Sequence, residues 1–330
     1  MTQLRYIQAV TQVITDLMDE DDSYIYMGED VRFAARGISR GLHDRFGDRR
    51  VLDCPISESA FTGAATGAAM AGLRPIVEYQ IAALLYVAFD QLVDQAQKLG
   101  FMTGGQTSVP VTYIVAASGW RPGIAGQHSD NPHALLVHAG MKTIVPMTAA
   151  DAAGLVRTAL LDPDPVMVFL PAAALPRRGE VPDGDFTIPL GVGSIARPGT
   201  DVTVVAIGPI LFEALAAAEE VAQDGVDVEV IDPRSLLPFD YDLVAASVSR
   251  TGRLLICDDA SRSCSVASEL AATIAERCHG LLQAPIQRIT RPDIPVPFSP
   301  PLEAAVVPGK DVVASALRRL MARERIGADG

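Results

Sequence analysis

One stretch decides how this chain is organised, and it reads Cys54-Pro-Ile-Ser-Glu-Ser-Ala-Phe-Thr-Gly-Ala-Ala-Thr-Gly-Ala-Ala-Met-Ala-Gly-Leu-Arg-Pro-Ile-Val-Glu-Tyr-Gln80. Its first half is a run of small residues typical of a closely packed helix, with one carboxylate, Glu58, where the helix begins. Gly72 ends the helix, and an apolar strand begins near Ile76. A helix that turns directly into a strand is part of a βαβ unit, so the stretch predicts an α/β fold.

The same alternation continues through the first half of the chain. Apolar runs bounded by turn residues predict strands at 24–27, 76–81, 111–117, 143–146 and 166–170. Stretches with helical periodicity lie between them at 88–99 and 150–161. Strands that are separated by helices are expected to pair in parallel.

A second set of such elements follows a passage rich in proline, glycine and arginine at 171–199, which predicts a connection. Predicted strands lie at 202–207, 226–231, 254–258 and 286–290, and predicted helices at 211–222, 265–278 and 311–322. The sequence therefore predicts two α/β domains, each a mostly parallel sheet flanked by helices. The domains are residues 1–180 and 201–330, joined by a linker at 181–200.

The composition indicates a folded intracellular protein. Hydrophobic residues make up 49% and charged residues 20% of the 330 residues, a balance that excludes a disordered chain. A formal net charge of −13 argues against nucleic-acid binding, which needs a basic face, and favours a basic protein partner. We find no secretory leader pattern and no apolar run long enough to span a bilayer. Since the four cysteines form no CxxC pair, we expect free thiols and a soluble, cytoplasmic protein.

Ordered motifs run the length of the chain. They include Met27-Gly28-Glu29-Asp30-Val31, Ser57-Glu58, Ala88-Phe89-Asp90-Gln91-Leu92, Gly126-Gln127-His128-Ser129, Asp162-Pro163-Asp164-Pro165 and Arg291-Pro292-Asp293-Ile294-Pro295. In this order and spacing the chain resembles the beta chain of the thiamine-diphosphate-dependent 2-oxo acid dehydrogenases, the E1 components of the pyruvate, branched-chain and acetoin complexes. The resemblance implies a transketolase-like pyrimidine-binding domain followed by a transketolase C-terminal-like domain.

The resemblance assigns a catalytic role to Glu58. In that family the cofactor is the electron sink for decarboxylation. A glutamate at this position hydrogen-bonds the aminopyrimidine of thiamine diphosphate and both donates and accepts the activating proton. Without the resemblance, a glutamate in a first helical turn has a simpler explanation, because the helix dipole stabilises it by about 0.3–1 kcal/mol.

Three further residues are predicted to bind the cofactor, and two of them match positions of the family. Glu29 follows a predicted strand, where sites of open α/β sheets gather, and matches an acid in a chain of waters and carboxylates that links two active sites. Gln80 matches a position beside the aminopyrimidine. The aromatic residue that usually follows is missing from 81–85, so its contact with the pyrimidine is either lost or moved to Tyr86. Considered alone, Glu29 is a loop carboxylate that accepts backbone N–H bonds, and Gln80 is a polar residue on a half-buried strand.

His128 is the second predicted catalytic residue. It lies in a glycine-rich loop after a predicted strand, which suits proton transfer or the holding of a carboxylate. In the family the matching histidine faces the substrate and the incoming lipoyl group. A loop histidine without this context would simply be solvated.

The chain offers groups for only one end of the cofactor. It contains no GDG-type motif with a downstream asparagine, the pattern that holds magnesium and the diphosphate, and we predict no side-chain metal site. The resemblance implies an alpha chain that supplies these groups in an α2β2 heterotetramer, and the lipoyl domain of an E2 chain as acyl acceptor. In some relatives, backbone carbonyls matching Leu160, Asp162 and Asp164 hold a monovalent cation such as K⁺.

Three functions stay open at this point. The first is an E1 beta chain of an oxidoreductase that acts on an aldehyde or oxo group with a disulfide acceptor. The second is one half of a split transketolase-like carboligase, and the third is a non-catalytic scaffold subunit. Departures from the family pattern at 81–85 and 171–174 leave open which 2-oxo acid, diketone or acetoin-like compound is the substrate.

Overall fold

The structure is a computed structural model that describes residues 1–322. It divides into two compact units. The first unit holds residues 1–119 and 130–190, and the second holds residues 120–129 and the described residues from 191 onward. Both units are mostly parallel sheets with helices, which confirms the predicted fold class. The predicted domain limits at 180 and 200 stay predictions.

The strands, in chain order, are β1 Thr2–Arg5, β2 Tyr24–Gly28, β3 Val51–Asp53, β4 Arg74–Tyr79, β5 Thr112–Ser118, β6 Lys142–Ile144, β7 Val166–Pro171, β8 Arg178–Val181, β9 Ser194–Arg197, β10 Val202–Ile207, β11 Val228–Asp232, β12 Ser235–Leu237, β13 Leu254–Ser261 and β14 Gln287–Arg291. The α-helices are α1 Tyr6–Glu20, α2 Leu42–Phe46, α3 Glu58–Met70, α4 Leu99–Met102, α5 Ala125–His128, α6 His133–His138, α7 Ala149–Leu161, α8 Ile210–Ala222, α9 Tyr241–Thr251, α10 Val266–Arg277, α11 Pro300–Val306 and α12 Lys310–Ala322. A 3-10 helix, Ala82–Tyr86, and a π-helix, Gln91–Gln97, lie between β4 and α4.

Six strands of the first unit pair in parallel, in the order β6-β7-β5-β4-β2-β3. The register of β2 on β4 sets Gly28 beside Glu78. The two backbones are so close that a Cβ atom on Gly28 would lie 2.4 Å from the Glu78 carbonyl oxygen. Glu29 and Gln80 follow these two strands directly, so they share the edge of the sheet where ligands of open parallel sheets bind.

The small residues of α3 let this helix lie close to its neighbours. Its buried face carries Phe61, Thr62, Ala65, Thr66 and Ala69. The hydroxyl groups of Thr62 and Tyr79 are 2.5 Å apart and hydrogen-bond, which ties α3 to β4. The packing therefore holds the first residue of α3, Glu58, at a defined place beside the sheet edge.

The second unit has a five-stranded sheet in the order β14-β13-β10-β11-β9. All its strand pairs are parallel except that of β9 with β11. Its core packs Val205, Ile231 and Ile256 of the strands against Val248 of α9 and Leu270 of α10. This apolar face gives the unit a hydrophobic core of its own.

Two predicted segments differ from the structure. Residues 91–97 of the predicted helix form a π-helix, in which Lys98 N donates to Val93 O at 3.2 Å. Over only seven residues, the spacing of apolar side chains does not distinguish a π-helix from an α-helix. The predicted connection at 171–199 contains β8 and β9, and β8 pairs antiparallel with β1. Among the helices of residues 1–322, none is both long and apolar enough to cross a membrane.

Candidate active site

Glu58 is a buried carboxylate at the beginning of α3. It is the first residue of the helix and only 5% exposed. Ser57, the residue before it, forms no side-chain cap. The place of Glu58 at the start of the helix sets it at the positive end of the helix dipole. Such a group is suited to hydrogen-bonding a ligand that carries nitrogen donors.

Glu29 lies beside Glu58. Burial, chiefly, and then the neighbouring Glu58 carboxyl raise the pKa of Glu29 above its ordinary value. The Glu29 Oε1 atom is buried and has no hydrogen-bond partner within residues 1–322. Two adjacent carboxyl groups, one with an unsatisfied buried oxygen, form an arrangement that can hold and exchange a proton.

Gln80 is fixed through both ends of its amide group. Its Oε1 atom accepts a hydrogen bond of 3.0 Å from Arg36 Nε, and its Nε2 atom donates one of 2.7 Å to the carbonyl oxygen of Glu29. The side chain therefore holds the backbone of the loop that carries Glu29. A contact of Gln80 with an aminopyrimidine stays a prediction.

Glu78, an acid of β4 that is only 1% exposed, is not among the predicted site residues. Tyr26 of β2 donates a hydrogen bond from its hydroxyl to Glu78 Oε2. Burial raises the pKa of Glu78 to about 7, against the lowering effects of this hydrogen bond and of the Arg36 charge. The signal was present in the sequence, because an acid inside the apolar strand Ile76-Val77-Glu78-Tyr79 needs a partner.

Tyr86 ends the 3-10 helix and is half exposed. Its polar neighbour in the first unit is Asp130. Burial, followed by the Asp130 charge and hydrogen bond, raises the pKa of Tyr86 to about 12, so the phenol stays protonated at neutral pH. The assignment of Tyr86 to a cofactor contact stays a prediction.

His128 belongs to the second unit, within the segment 120–129. It is the last residue of the four-residue helix α5, and its side chain is exposed. Ser129 after it is buried, and its carbonyl oxygen accepts a hydrogen bond of 2.8 Å from Arg291 Nη1. The backbone beside His128 is thus anchored in the core of the second unit while the imidazole reaches outward.

Two of the three backbone oxygens proposed for a monovalent cation already accept hydrogen bonds from a cationic side chain. Arg74 Nη2 donates to the carbonyl oxygens of Leu160, at 2.6 Å, and Asp162, at 2.9 Å. Lys142 Nζ lies 2.8 Å from a carboxylate oxygen of Asp162 and 2.9 Å from one of Asp164. The cation site stays a prediction, and we route no step of the chemistry through it.

Two acids of the first unit have the chemistry to bind the pyrimidine end of thiamine diphosphate. The buried Glu58 carboxyl and the unsatisfied Glu29 oxygen suit an aminopyrimidine with a ring nitrogen and an amino group. Within residues 1–322 there is no group of three or more histidine, cysteine, aspartate or glutamate side chains that could hold a metal ion.

Comparison with known proteins matches both units to family models. Residues 2–178 match the transketolase pyrimidine-binding domain, and residues 191–313 match the transketolase C-terminal domain. The chain also resembles a solved split-gene transketolase described as an inactive β4 tetramer. That likeness has a TM-score of 0.77 at 21% identity, covers 97% of this chain and 98% of the other, and supports the fold alone.

Curated relatives match almost the whole chain. The beta subunit of the acetoin:2,6-dichlorophenolindophenol oxidoreductase of Bacillus subtilis is 40% identical over 95% of this chain and 96% of its own length. The beta-2 subunit of the mitochondrial pyruvate dehydrogenase E1 component of Oryza sativa is 37% identical over 94% of this chain and 85% of its own. The 2-oxoisovalerate dehydrogenase beta subunit of Bacillus subtilis is 35% identical over 97% and 99%.

Proposed function

The chain belongs to the family of transketolase-like beta subunits of acetoin, pyruvate and branched-chain 2-oxo acid dehydrogenases, and from that premise we propose that it is the beta subunit of such a thiamine-diphosphate enzyme. The enzyme acts on a 2-oxo acid or an acetoin-like compound and passes the acyl group to a lipoyl acceptor. The buried Glu58 carboxyl with the partly buried Glu29 carboxyl beside it is the observation that carries the proposal.

In this proposal Glu58 binds the aminopyrimidine ring and exchanges a proton with it. Thiamine diphosphate, when bound, supplies the electron sink for cleavage of the bond next to the substrate carbonyl. Glu29 lies close by, and burial and the Glu58 carboxyl raise its pKa above the ordinary glutamate value, which suits it to take part in proton exchange. Arg36 and Gln80 keep the Glu29 loop in place. His128 handles a proton or a carboxylate of the substrate and meets the lipoyl group.

The proposal includes an alpha chain in an α2β2 assembly. The curated relatives support it, because each of them is named as a beta subunit. Exposed apolar side chains support it too. Phe33 and Ile56 are 78% and 85% exposed and lie close in sequence to Glu29 and Glu58, where a partner chain would cover them.

The alternatives have less support. A carboligase half shares this fold, but the curated relatives above are named as dehydrogenase or oxidoreductase beta subunits. In a scaffold subunit the helix dipole alone would explain Glu58, but the dipole stabilises an exposed acid as well and does not account for the burial of this one. The cysteines Cys54, Cys257, Cys264 and Cys278 are free thiols, which supports a reducing compartment such as the cytoplasm.

Calorimetry tests whether this chain provides only half of the cofactor site, which is called the half-site below. Thiamine diphosphate with magnesium is titrated into this chain, into the alpha chain and into their mixture. We expect tight binding only in the mixture. Binding to this chain alone would refute the half-site, and binding to no sample would favour the scaffold alternative.

The Glu58→Gln variant tests the chemistry. We expect turnover of 2-oxo acids and acetoin by the assembled enzyme to fall by about 100-fold or more, because a proton-transfer group is lost. Glu180→Gln is the matched control, since Glu180 is an exposed glutamate of the same unit. Unchanged turnover in Glu58→Gln would sink the assignment of this residue.

A further inference from the structure

We infer that Asp259 and Arg291 form a buried clasp that closes the segment 120–129 and thereby sets the position of His128. Residues 120–129 are called the clasped loop below. The inference rests on the proposed function for what His128 does. The statement about the clasped loop itself depends only on contacts within the second unit.

The clasp is a buried ion pair. Arg291 Nε lies 3.1 Å from Asp259 Oδ1, and the two side chains are only 7% and 5% exposed. Arg291 Nη2 also donates to the Asp259 carbonyl oxygen at 2.6 Å. A charge removed from water to this extent is costly unless it is paired and hydrogen-bonded, so each partner holds the other in a fixed orientation.

Each half of the clasp contacts one end of the clasped loop. The Trp120 amide donates to Asp259 Oδ2 at 3.4 Å, at the loop's first residue. Arg291 Nη1 donates to the Ser129 carbonyl oxygen at 2.8 Å, at its last. The pair thus joins the two ends of a ten-residue segment that is remote from both partners in sequence.

Glu303 of α11 adds a third anchor in the middle of the loop. It is 4% exposed, and its Oε1 atom accepts hydrogen bonds from the Gly123 amide at 3.0 Å and from Trp120 Nε1 at 3.4 Å. Gly126 packs against the segment after β14, since a Cβ atom on it would lie 3.1 Å from Pro295 Cβ. The loop is therefore supported along its length by residues 291–303.

The imidazole of His128 depends on this support. Within residues 1–322 no hydrogen bond or ion pair holds its ring, so the backbone alone directs it. Ser129, the next residue, is the point that Arg291 holds. Arg291 and Asp259 are accordingly positioning residues, which act on the reaction through His128.

Trp120 provides a direct readout, because it is the only tryptophan of the chain. The variants Arg291→Lys and Asp259→Asn are made in the full chain, and quenching of the Trp120 fluorescence by acrylamide is measured. A lysine keeps the charge but cannot reach Asp259 and Ser129 together. The control is Asp242→Asn, which breaks the exposed Arg277–Asp242 pair of the same unit.

We expect acrylamide to quench the Trp120 fluorescence more strongly in both clasp variants than in the parent chain, and equally strongly in the control and the parent. In the assembled enzyme we expect kcat to fall by about 100-fold, as for a misplaced catalytic group. In a His128→Ala background, Arg291→Lys should cost little more, since the two residues act in series. Chains that do not fold are identified by thermal unfolding and replaced by the milder Glu303→Gln, for which we expect the same direction of change.

Unchanged quenching in folded clasp variants would overturn the inference. If Arg291→Lys lowered kcat by a further 100-fold or so when added to His128→Ala, the inference would also be overturned, because the clasp would then act through another group. Neither result touches the proposed function, which is tested by Glu58→Gln. That variant should lose turnover while its Trp120 quenching stays normal.

Discussion

Arg36 and Gln80 are joined by a hydrogen bond of 3.0 Å from the guanidinium Nε to the amide oxygen. The amide nitrogen of Gln80 in turn donates a hydrogen bond of 2.7 Å to the Glu29 carbonyl oxygen. Arg36 also lowers the pKa of Glu78 through its charge, against the larger effect of burial. One arginine therefore supports both the loop of Glu29 and the buried acid of β4.

Replacing Arg36 with methionine should loosen this edge of the sheet. We expect the free energy of unfolding to fall by about 1–3 kcal/mol, because a charge-assisted hydrogen bond is lost. We also expect weaker binding of thiamine diphosphate by the assembled enzyme, since Gln80 loses one of its two partners. Urea unfolding and calorimetry measure the two effects. Arg40→Met, at an exposed arginine of the same segment, should change neither, and an equal loss there would contradict the special role of Arg36.

Glu78 makes stability depend on pH in a defined direction. Burial raises the pKa of Glu78 from 4.5 to about 7. Between these values the unfolded chain releases the proton and the folded chain keeps it, so the free energy of unfolding falls as pH rises through this window. The contribution is constant below pH 4.5 and above pH 7.

The Glu78→Gln variant removes this dependence. Tyr26 can still donate its hydrogen bond to the glutamine oxygen. Relative to the parent chain, the variant should therefore gain up to about 3 kcal/mol of stability as pH rises across the window. Urea unfolding at pH values on both sides of the window measures the gain. Glu180→Gln should show no such trend, and a parallel pH profile of Glu78→Gln and parent would rule out the buried titration.

The fold was predictable from the sequence, and candidate site residues could be named, because both signals are local. The alternation of apolar runs around α3 and β4 needs only neighbouring residues to be recognised. Glu58 stood out as the one acid in a run of small residues. Contacts between remote segments were missed, since neither the Arg36–Gln80 bond nor the Asp259–Arg291 pair leaves a pattern in spacing.

The contacts of the clasped loop could not be predicted from the sequence either. Residues 120–129 follow β5 in the chain but cluster with the second unit, where the partners of Trp120 are Asp259 and Glu303. Each of these contacts spans more than a hundred residues. The motifs that contain His128 and Arg291 were both recognised in the sequence, but their connection is visible only in the structure.

The coupling of Glu29 to Glu58 predicts the effect of one substitution on the titration of the other. In Glu58→Gln the neighbouring negative charge is absent, so the pKa of Glu29 should fall. It should stay above the ordinary glutamate value, because burial is the larger cause of the shift. Carboxyl carbon NMR of labelled glutamates measures it, with Glu180→Gln as the variant that leaves Glu29 unaffected. A Glu29 titration that does not move in Glu58→Gln would mean that the two carboxyls do not interact.

Two glycines of the first unit should respond in opposite ways to alanine. At Gly28 the new Cβ atom would lie 2.4 Å from the Glu78 carbonyl oxygen and 3.1 Å from Val31 Cγ1, so β2 and β4 would have to separate. We expect Gly28→Ala to destabilise the chain by about 1–3 kcal/mol and to weaken binding of thiamine diphosphate by the assembled enzyme, because Glu29 is the next residue.

Gly67 lies inside α3 with open space around the position of a Cβ atom. Gly67→Ala should stabilise the isolated chain by about 0.5–1 kcal/mol, since alanine restricts the unfolded chain and favours the helix. Urea unfolding of both variants measures the difference, and a Gly28→Ala chain as stable as its parent would show that β2 and β4 do not approach as closely as described.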